Sequence, residues 1–458
     1  MTMAVTTLLM ILGGRERVRR FIYINVIFNI DSALRHSIKL KAIGRSGEIT
    51  LMKPATMQQL YADTQEMLSL QETGIVRQAR QVAMLDASQY TDEAQFAAEQ
   101  KGIFQRLPLM LSASCELSEP GSYKTMDIAG VPVLLVRSKD GVARAFLNSC
   151  THRASPVAKG CGKAARFTCP YHGWTFGREG NLIGIASREN YGDIDPEDHG
   201  LICFPVHEQS GLIWAILDPD APADFSAFLG KFTEMLGGFG FENWHFGQRT
   251  TLEGANWKLA FDAHLEFYHL PVLHRETFGT EIGNAAQYQY HGPHFRLRHV
   301  GKRSESSVPD SLSVLEGLSR EDWPMEPLFS GEWILFPNVS INSFFQGGRG
   351  VIISQIFPGN TVGESVTIQT YLHENPQNDK DRTAGAELTA FIAHVVRDED
   401  LPMSRDQQHV LSSGLQKSVQ FGCNEGGLQH FHRWVKHCLS MDEKQPLADL
   451  MAAAPDIP

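Results

Sequence analysis

Cys150-Thr-His-Arg-Ala-Ser-Pro-Val-Ala-Lys-Gly-Cys-Gly-Lys-Ala-Ala-Arg-Phe-Thr-Cys-Pro-Tyr-His-Gly-Trp174 carries two pairs of soft metal ligands. Cys150 and His152 are separated by one residue, Cys169 and His172 by two. Thiolate and imidazole together suit zinc or an iron–sulfur centre. Each pair is short enough to sit on one tight loop, so two loops can close over a metal centre from opposite sides. Pro170, Gly173 and the Gly160/Gly162 pair supply turn chemistry there. Zinc sites usually space their first pair by two to four residues, and here the first spacer is one. Cys161, between the pairs, is the natural decoy ligand.

The order C-x-H, sixteen residues, C-x-x-H, with the flanking P-Y-H-G-W, resembles the ligand loops of a Rieske [2Fe–2S] cluster. In such a cluster two thiolates hold one iron and two neutral imidazoles the other, and that exchange raises the reduction potential.

The 458 residues correspond to about three domains by length. A net charge of −11 with no block of like charge argues against nucleic acid or an anionic membrane as partner. Seven cysteines in no paired spacing do not read as a secreted disulfide framework, and the expected compartment is the cytoplasm. Residues 1–51 differ from the remainder. They carry a net +5 against −16 for the rest, and read as a translated upstream extension or a disordered basic tail. Their apolar run Ala4–Leu12 is too short to span a bilayer and lacks the basic segment of a signal peptide.

From Met57 the pattern becomes helical, with Leu60, Met67 and Leu68 at helical spacing. A second helix is expected over Asp92–Phe104, with Thr91 or Asp92 as its cap. The Glu119-Pro-Gly121 turn opens a β region, with strands at Val131–Val136, Val142–Leu147, Leu182–Ile185 and Gly211–Leu217. Asp218–Asp224 is a linker by composition. Beyond it, strands are expected at Arg249–Glu253, Arg296–Val300, Glu332–Phe336, Val351–Phe357 and Ser365–Leu372, and helices over Ala384–Val396 and from Pro402. Val366 and Ile368 alternate with Thr367 and Gln369 in the last of these strands. The organisation is therefore 1–51 extension, 52–104 helices, 105–220 cluster domain, 221–440 catalytic domain and 441–458 tail. The fold class is α+β, an all-β domain followed by helices over an antiparallel sheet.

A second ligand set lies in Asn256-Trp-Lys-Leu-Ala-Phe-Asp-Ala-His-Leu-Glu-Phe-Tyr-His-Leu-Pro-Val-Leu-His274. Asp262, Glu266 and His269 fall at i, i+4 and i+7, on one face if the segment is helical. Pro271 should end or deform that helix and swing His274 round to share a metal with His269. Two histidines and one carboxylate on one face of an octahedron form the non-haem Fe(II) oxygenase arrangement. The carboxylate should come from the Val396–Leu415 region, whose acidic trio at 398–400 alone would be a solvated charge cluster.

With both sites read, residues 90–440 resemble the large (alpha) subunit of Rieske non-haem iron oxygenases, the ring-hydroxylating family. The motifs are C-x-H…C-P-Y-H-G-W, N-W-K and E-x-Y-H-x4-H, in order. The resemblance implies Cys150, His152, Cys169 and His172 as cluster ligands, and His269, His274 and Asp400 as iron ligands, with Asp398 the nearest competitor. It gives Glu266 the part of a bridging acid from His269 to His172 of a neighbouring subunit. Asp262 stands where the family often has Asn. The resemblance further implies a helix-grip (START-like) catalytic domain, a curved antiparallel sheet on a long C-terminal helix, and a ring-shaped homotrimer.

The expected function is the terminal oxygenase, inserting oxygen from O2 into an organic, aromatic-leaning substrate, with monooxygenation or demethylation of a methoxyarene or quaternary amine as the alternative. Phe261, Leu265, Trp333, Phe344 and Phe345 are candidate pocket residues, though each reads first as plain core. Arg296 and Arg298 could meet a substrate carboxylate, but read first as a solvated strand face. Gly347-Gly-Arg-Gly350 lacks the spacing and context of a dinucleotide fingerprint, so NADH or NADPH and flavin belong to a separate reductase, with or without a ferredoxin. A rival from another class is pure electron transfer. It is disfavoured because Ser155 and Tyr171 stand where quinol-oxidising Rieske subunits carry a disulfide.

Overall fold

The computed structural model describes residues 54–279, 283–300, 312–345, 349–374, 378–442 and 444–458. The 1–51 extension, and Gly347 and Gly348 of the 347–350 glycine run, lie outside the described residues.

The leading helix is Pro54–Thr73, with Leu60 and Met67 buried as their spacing predicts. It starts three residues earlier than expected, with Pro54 in the first turn, where its missing N–H is harmless. It packs on the second half of the chain: Gln289 donates to the Asp63 carbonyl at 3.0 Å, and Arg298 to the Thr64 hydroxyl at 3.3 Å. Asp92 caps the next helix, Glu93–Glu99, accepting from the Gln95 N–H at 2.7 Å. That helix widens into a π turn over Gln100–Gln105.

The β domain holds three small sheets. One runs in the order Cys203–Phe204, Ala143–Leu147, Val131–Arg137, Ser122–Ile128, Cys161–Lys163, antiparallel throughout. A second joins Val206–Gln209, Leu212–Ala215 and Leu109–Ala113. In the third, Phe167–Thr168, Thr175–Phe176 and Leu182–Gly184, residues 169–174 form the hairpin loop between the first two strands. A separate apolar cluster that includes Val136, Phe146, Phe167, Trp174 and Phe176 lies beneath it and contains both Cys150 and Cys169. The ligand loops are thus fixed from below by a core of their own.

Among the described residues the second half forms a seven-stranded antiparallel sheet in the order His245–Gly254, Ser365–His373, Arg349–Pro358, Val339–Phe345, Glu332–Leu335, His294–His299, Ala286–His291. Helix Gly426–Ser440 packs on it, with Phe431 and Trp434 against Phe336 at 5.7 and 6.4 Å between ring centres. The α+β architecture and the long C-terminal helix are as expected. Residues past 441 carry one more short helix, Leu447–Ala452, with Leu447 and Leu450 buried.

Three sequence expectations need correction. The alternation in Ser365–His373 does not separate core from solvent. Thr367 and Gln369 are the buried residues, while half-buried Val366 and Ile368 line a cavity of about 490 Å³ together with Phe357, Lys124 and Arg249. The β domain covers that side of the sheet, and Gln355 there donates to the Met110 carbonyl at 2.7 Å. Arg296 and Arg298 are not a solvated face. Both are buried and donate to the Leu328 and Ser330 carbonyls, and Arg296 lies 4.3 Å over Trp333. Finally, helix Trp257–Asp262 stops at Asp262, well before Pro271.

Candidate metal centres

The two cluster loops share one backbone design. Cys150 N–H donates to the Ser155 carbonyl at 2.8 Å, and Cys169 N–H to the Trp174 carbonyl at 2.7 Å, each spanning five residues. In each loop the fourth residue after the cysteine donates back to the cysteine carbonyl and sits in the left-handed region: Ala154 at φ +58° and Gly173 at φ +72°. The His152 and His172 rings lie 4.6 Å apart, and the Cys150 and Cys169 sulfurs are within hydrogen-bonding reach. His152 stacks on Trp174 at 5.0 Å and meets the Tyr191 edge at 5.6 Å.

Electrostatics at these loops favour a metal-ready form at Cys169 and His172 but not at Cys150, whose thiolate a bound metal would itself have to stabilise. Burial pushes the Cys150 thiol up. Burial acts the same way on Cys169, but the backbone N–H groups of Tyr171 and His172 outweigh it and lower that thiol. Burial, then the neighbouring His152 and Arg153, hold the His172 imidazole below its ordinary value, so it stays neutral as a metal ligand must be. Both Nδ1 atoms, of His152 and His172, are buried without a hydrogen-bond partner. Buried polar atoms are ordinarily satisfied, so this pair fits a metal-bound group between the loops. Cys161 is elsewhere, exposed on strand Cys161–Lys163 and paired with Lys124.

The second set also converges. After helix Trp257–Asp262 the chain turns through 263–268, and a single helical turn, Leu270–Leu273, is flanked by His269 and His274. Pro271 lies in its first turn, where no N–H is needed. The break comes at Asp262 because that carboxylate is held from outside the segment. It accepts from Tyr90 Oη at 2.7 Å and lies 3.0 Å from His432 Nε2. The i, i+4, i+7 helical face is therefore not formed, and Asp262 is engaged by Tyr90 and His432 instead of standing free at the surface.

His269, His274 and Asp400 offer three ligand atoms within 4.8 Å of one another. Asp400 Oδ1 lies 3.1 Å from His274 Nε2 and 3.7 Å from His269 Nε2, and is a buried atom with no hydrogen bond. Each ring is anchored from behind. Glu266 bonds His269 Nδ1 and accepts the backbone N–H groups of Tyr268 and His269. Glu399 bonds His274 Nδ1 at 2.7 Å and the Thr277 hydroxyl. With both Nδ1 atoms engaged, both Nε2 atoms are left to face Asp400, the usual arrangement behind a metal-binding histidine. Burial disfavours charge on His274, but Asp400 and then Glu399 outweigh it and raise its pKa. This donor set fits a mononuclear iron. Asp398 points away, bonded to His394 and Arg397 on an exposed surface.

Sequence reasoning missed Glu399. Its signal was adjacency to Asp400 within the π turn Val396–Asp400, a widened turn of the kind found at functional sites. Of the candidate pocket residues, Phe261, Leu265 and Trp333 are fully buried core, and Phe344 stacks on Tyr371 at 5.8 Å. The Phe345 side chain lies outside the described residues. The lean toward an aromatic substrate drawn from these side chains therefore has no support in their packing.

Two family models match the chain: the Rieske [2Fe-2S] domain over residues 108–205, and the ring hydroxylating alpha subunit (catalytic domain) over 241–441. The chain belongs to the Rieske non-haem iron oxygenase family. Like other Rieske oxygenase alpha subunits, it is the terminal oxygenase component, working with a reductase on a small molecule and using a [2Fe–2S] cluster and a mononuclear iron. It is 28% identical over 354 residues to the carnitine monooxygenase oxygenase subunit of Escherichia coli (strain K12), covering 75% of this chain and 90% of that protein. It is 28% identical over 365 residues to the chloroplastic choline monooxygenase of Beta vulgaris, covering 76% of each. Its fold matches a quaternary ammonium Rieske monooxygenase with a TM-score of 0.66 at 23% identity, over 78% of this chain and 96% of that one. None of the described helices is long and apolar enough to cross a membrane.

Proposed function

We propose that this oxygenase oxidises a methylated ammonium compound at an iron held by His269, His274 and Asp400. The observation that carries the iron assignment is the convergence of three ligand atoms within 4.8 Å, with both histidines fixed from behind by carboxylates. Cys150, His152, Cys169 and His172 hold the cluster. A [2Fe–2S] cluster held there would supply single electrons, and an iron held by His269, His274 and Asp400 would supply the one-electron chemistry that dioxygen needs to react with a C–H bond.

The chain's own residues do the rest. Glu266 fixes His269 and is the bridging acid toward His172 of a neighbouring subunit in a ring of three. Exposed Tyr171 beside His172, and exposed Tyr268 and Val272 beside His269, give each side of that junction apolar surface to bury. A solved structure of the quaternary ammonium monooxygenase is described in terms of inter-subunit electron transfer, which supports the same reading here.

The methylated ammonium substrate rests on the relatives that match over three quarters of the chain, which are carnitine and choline monooxygenases. Hydroxylation at a carbon bonded to nitrogen gives a product that breaks its C–N bond to an amine and a carbonyl compound. The test is product mass. Holoenzyme with a surrogate reductase is given labelled dioxygen and a panel of quaternary amines, methoxyarenes, aromatic acids and polycyclic arenes. An amine and a carbonyl product from an ammonium substrate support the proposal. Two label atoms in one arene product would replace it with ring dihydroxylation.

A further inference from the structure

Beside the iron set lies a polar group that the iron and cluster roles leave unused. His264 sits on the turn between helix Trp257–Asp262 and His269, with Nδ1 3.0 Å from Glu332 Oε1. The same Glu332 oxygen accepts the Ser340 hydroxyl. Burial works against charge on His264, but Glu332 and then Asp400 outweigh it and raise its pKa, so Asp400 is near enough to act on the ring. Its Nε2 has no hydrogen-bond partner among the described residues and is not sealed in the core, and the side chain is 16% exposed. With Nδ1 anchored on a carboxylate, the ring in its protonated form offers an Nε2–H donor.

An amide stands in register with the same carboxylate. Glu332 pairs in register with Asn342 on the adjacent strand, so both side chains project from the same face of the sheet. Asn342 is exposed, although Glu332 and Ser340 on that face are buried. An imidazolium N–H and an amide N–H flanking the same carboxylate suit an anion with two acceptor oxygens. The Glu332 carboxylate is already engaged by His264 and Ser340.

We propose that His264 and Asn342 bind a carboxylate of the substrate, with Glu332 positioning His264, so that the ammonium end of a zwitterion reaches the iron. This deepens the reading above and rests on its placement of the iron. The test is calorimetric titration of anaerobic holoenzyme with two acid/alcohol pairs: glycine betaine and choline, and 3-methoxybenzoate and 3-methoxybenzyl alcohol. Wild type is expected to bind the acid of at least one pair about tenfold or more tighter than its alcohol. His264→Leu, and independently the exposed Asn342→Leu, should cut that preference to below about threefold, leaving alcohol affinity and the cluster's visible spectrum unchanged. Equal binding of acid and alcohol by wild type, no binding of any of the four, or an equal weakening of both members in both variants overturns the proposal. Preference confined to the arene pair would keep the carboxylate site and sink the ammonium reading instead.

Discussion

Glu399 touches no iron ligand atom, yet it decides which nitrogen of His274 can reach one. Glu399→Gln keeps the shape but weakens the hold on Nδ1, and should lower mononuclear iron affinity about 10–100-fold with the cluster intact. Iron retention after dialysis against a chelator measures it, and retention equal to wild type would refute the positioning role. Asp398→Asn, on the exposed side of the same turn, should retain iron fully. The cysteine and histidine candidates were legible because their motifs carry their own spacing, whereas Asp400 came only from the family resemblance. Glu399 was not, because one more acid in Arg-Asp-Glu-Asp looks like a solvated cluster until a widened turn aims two neighbours at one histidine pair. His264 and Glu332 are 68 residues apart and carry no mutual pattern.

At the scale of elements, the N-W-K motif is a structural anchor for the iron segment. Asn256 caps helix Trp257–Asp262 by accepting the Lys258 N–H at 3.0 Å, and donates to the Val362 carbonyl at 2.7 Å. Lys258 and Glu99 form a buried ion pair, and Trp257 Nε1 donates to the same carboxylate at 2.8 Å. Lys258→Met leaves a buried, half-satisfied carboxylate and should cost about 3–5 kcal/mol. Adding Glu99→Gln should recover most of that, because Gln still accepts from Trp257. Urea unfolding of the single and double variants checks it, and a double variant no more stable than the single would contradict the account. Nine of the twenty described strands were readable, from apolar runs and turn residues, and the rest are short or carry no such run. The helix through Asp262, Glu266 and His269 was misread because the partners that break it, Tyr90 and His432, lie 172 and 170 residues away in the chain.

For the whole molecule, two buried histidines make stability fall in acid. His294 accepts the Phe336 N–H at Nδ1 and bonds the Phe228 carbonyl through Nε2, which fixes it as neutral, and burial pulls its pKa down to about 4. Burial likewise pulls His430 down to about 3. The unfolded chain binds these protons near pH 6.5, so stability present above that pH is lost as pH falls toward 4 and 3. At pH 5 the loss is about 2 kcal/mol for each. His294→Gln, which cannot protonate, should flatten the difference between pH 7.5 and pH 5 by about that amount in urea unfolding, and an unchanged difference would refute it. The proposed subunit ring makes a separate prediction. Co-assembled Cys150→Ser and Asp400→Asn chains, each inactive alone, should regain activity if electrons cross between subunits, whereas an inactive mixed assembly would confine the path to one chain. The most direct test of the account as a whole is iron counted in Asp400→Asn beside wild type. The account predicts about three irons per chain falling to about two, with the cluster spectrum preserved and substrate oxidation abolished. Wild type with the cluster's irons alone, or a variant that keeps its third iron and its activity, would contradict it.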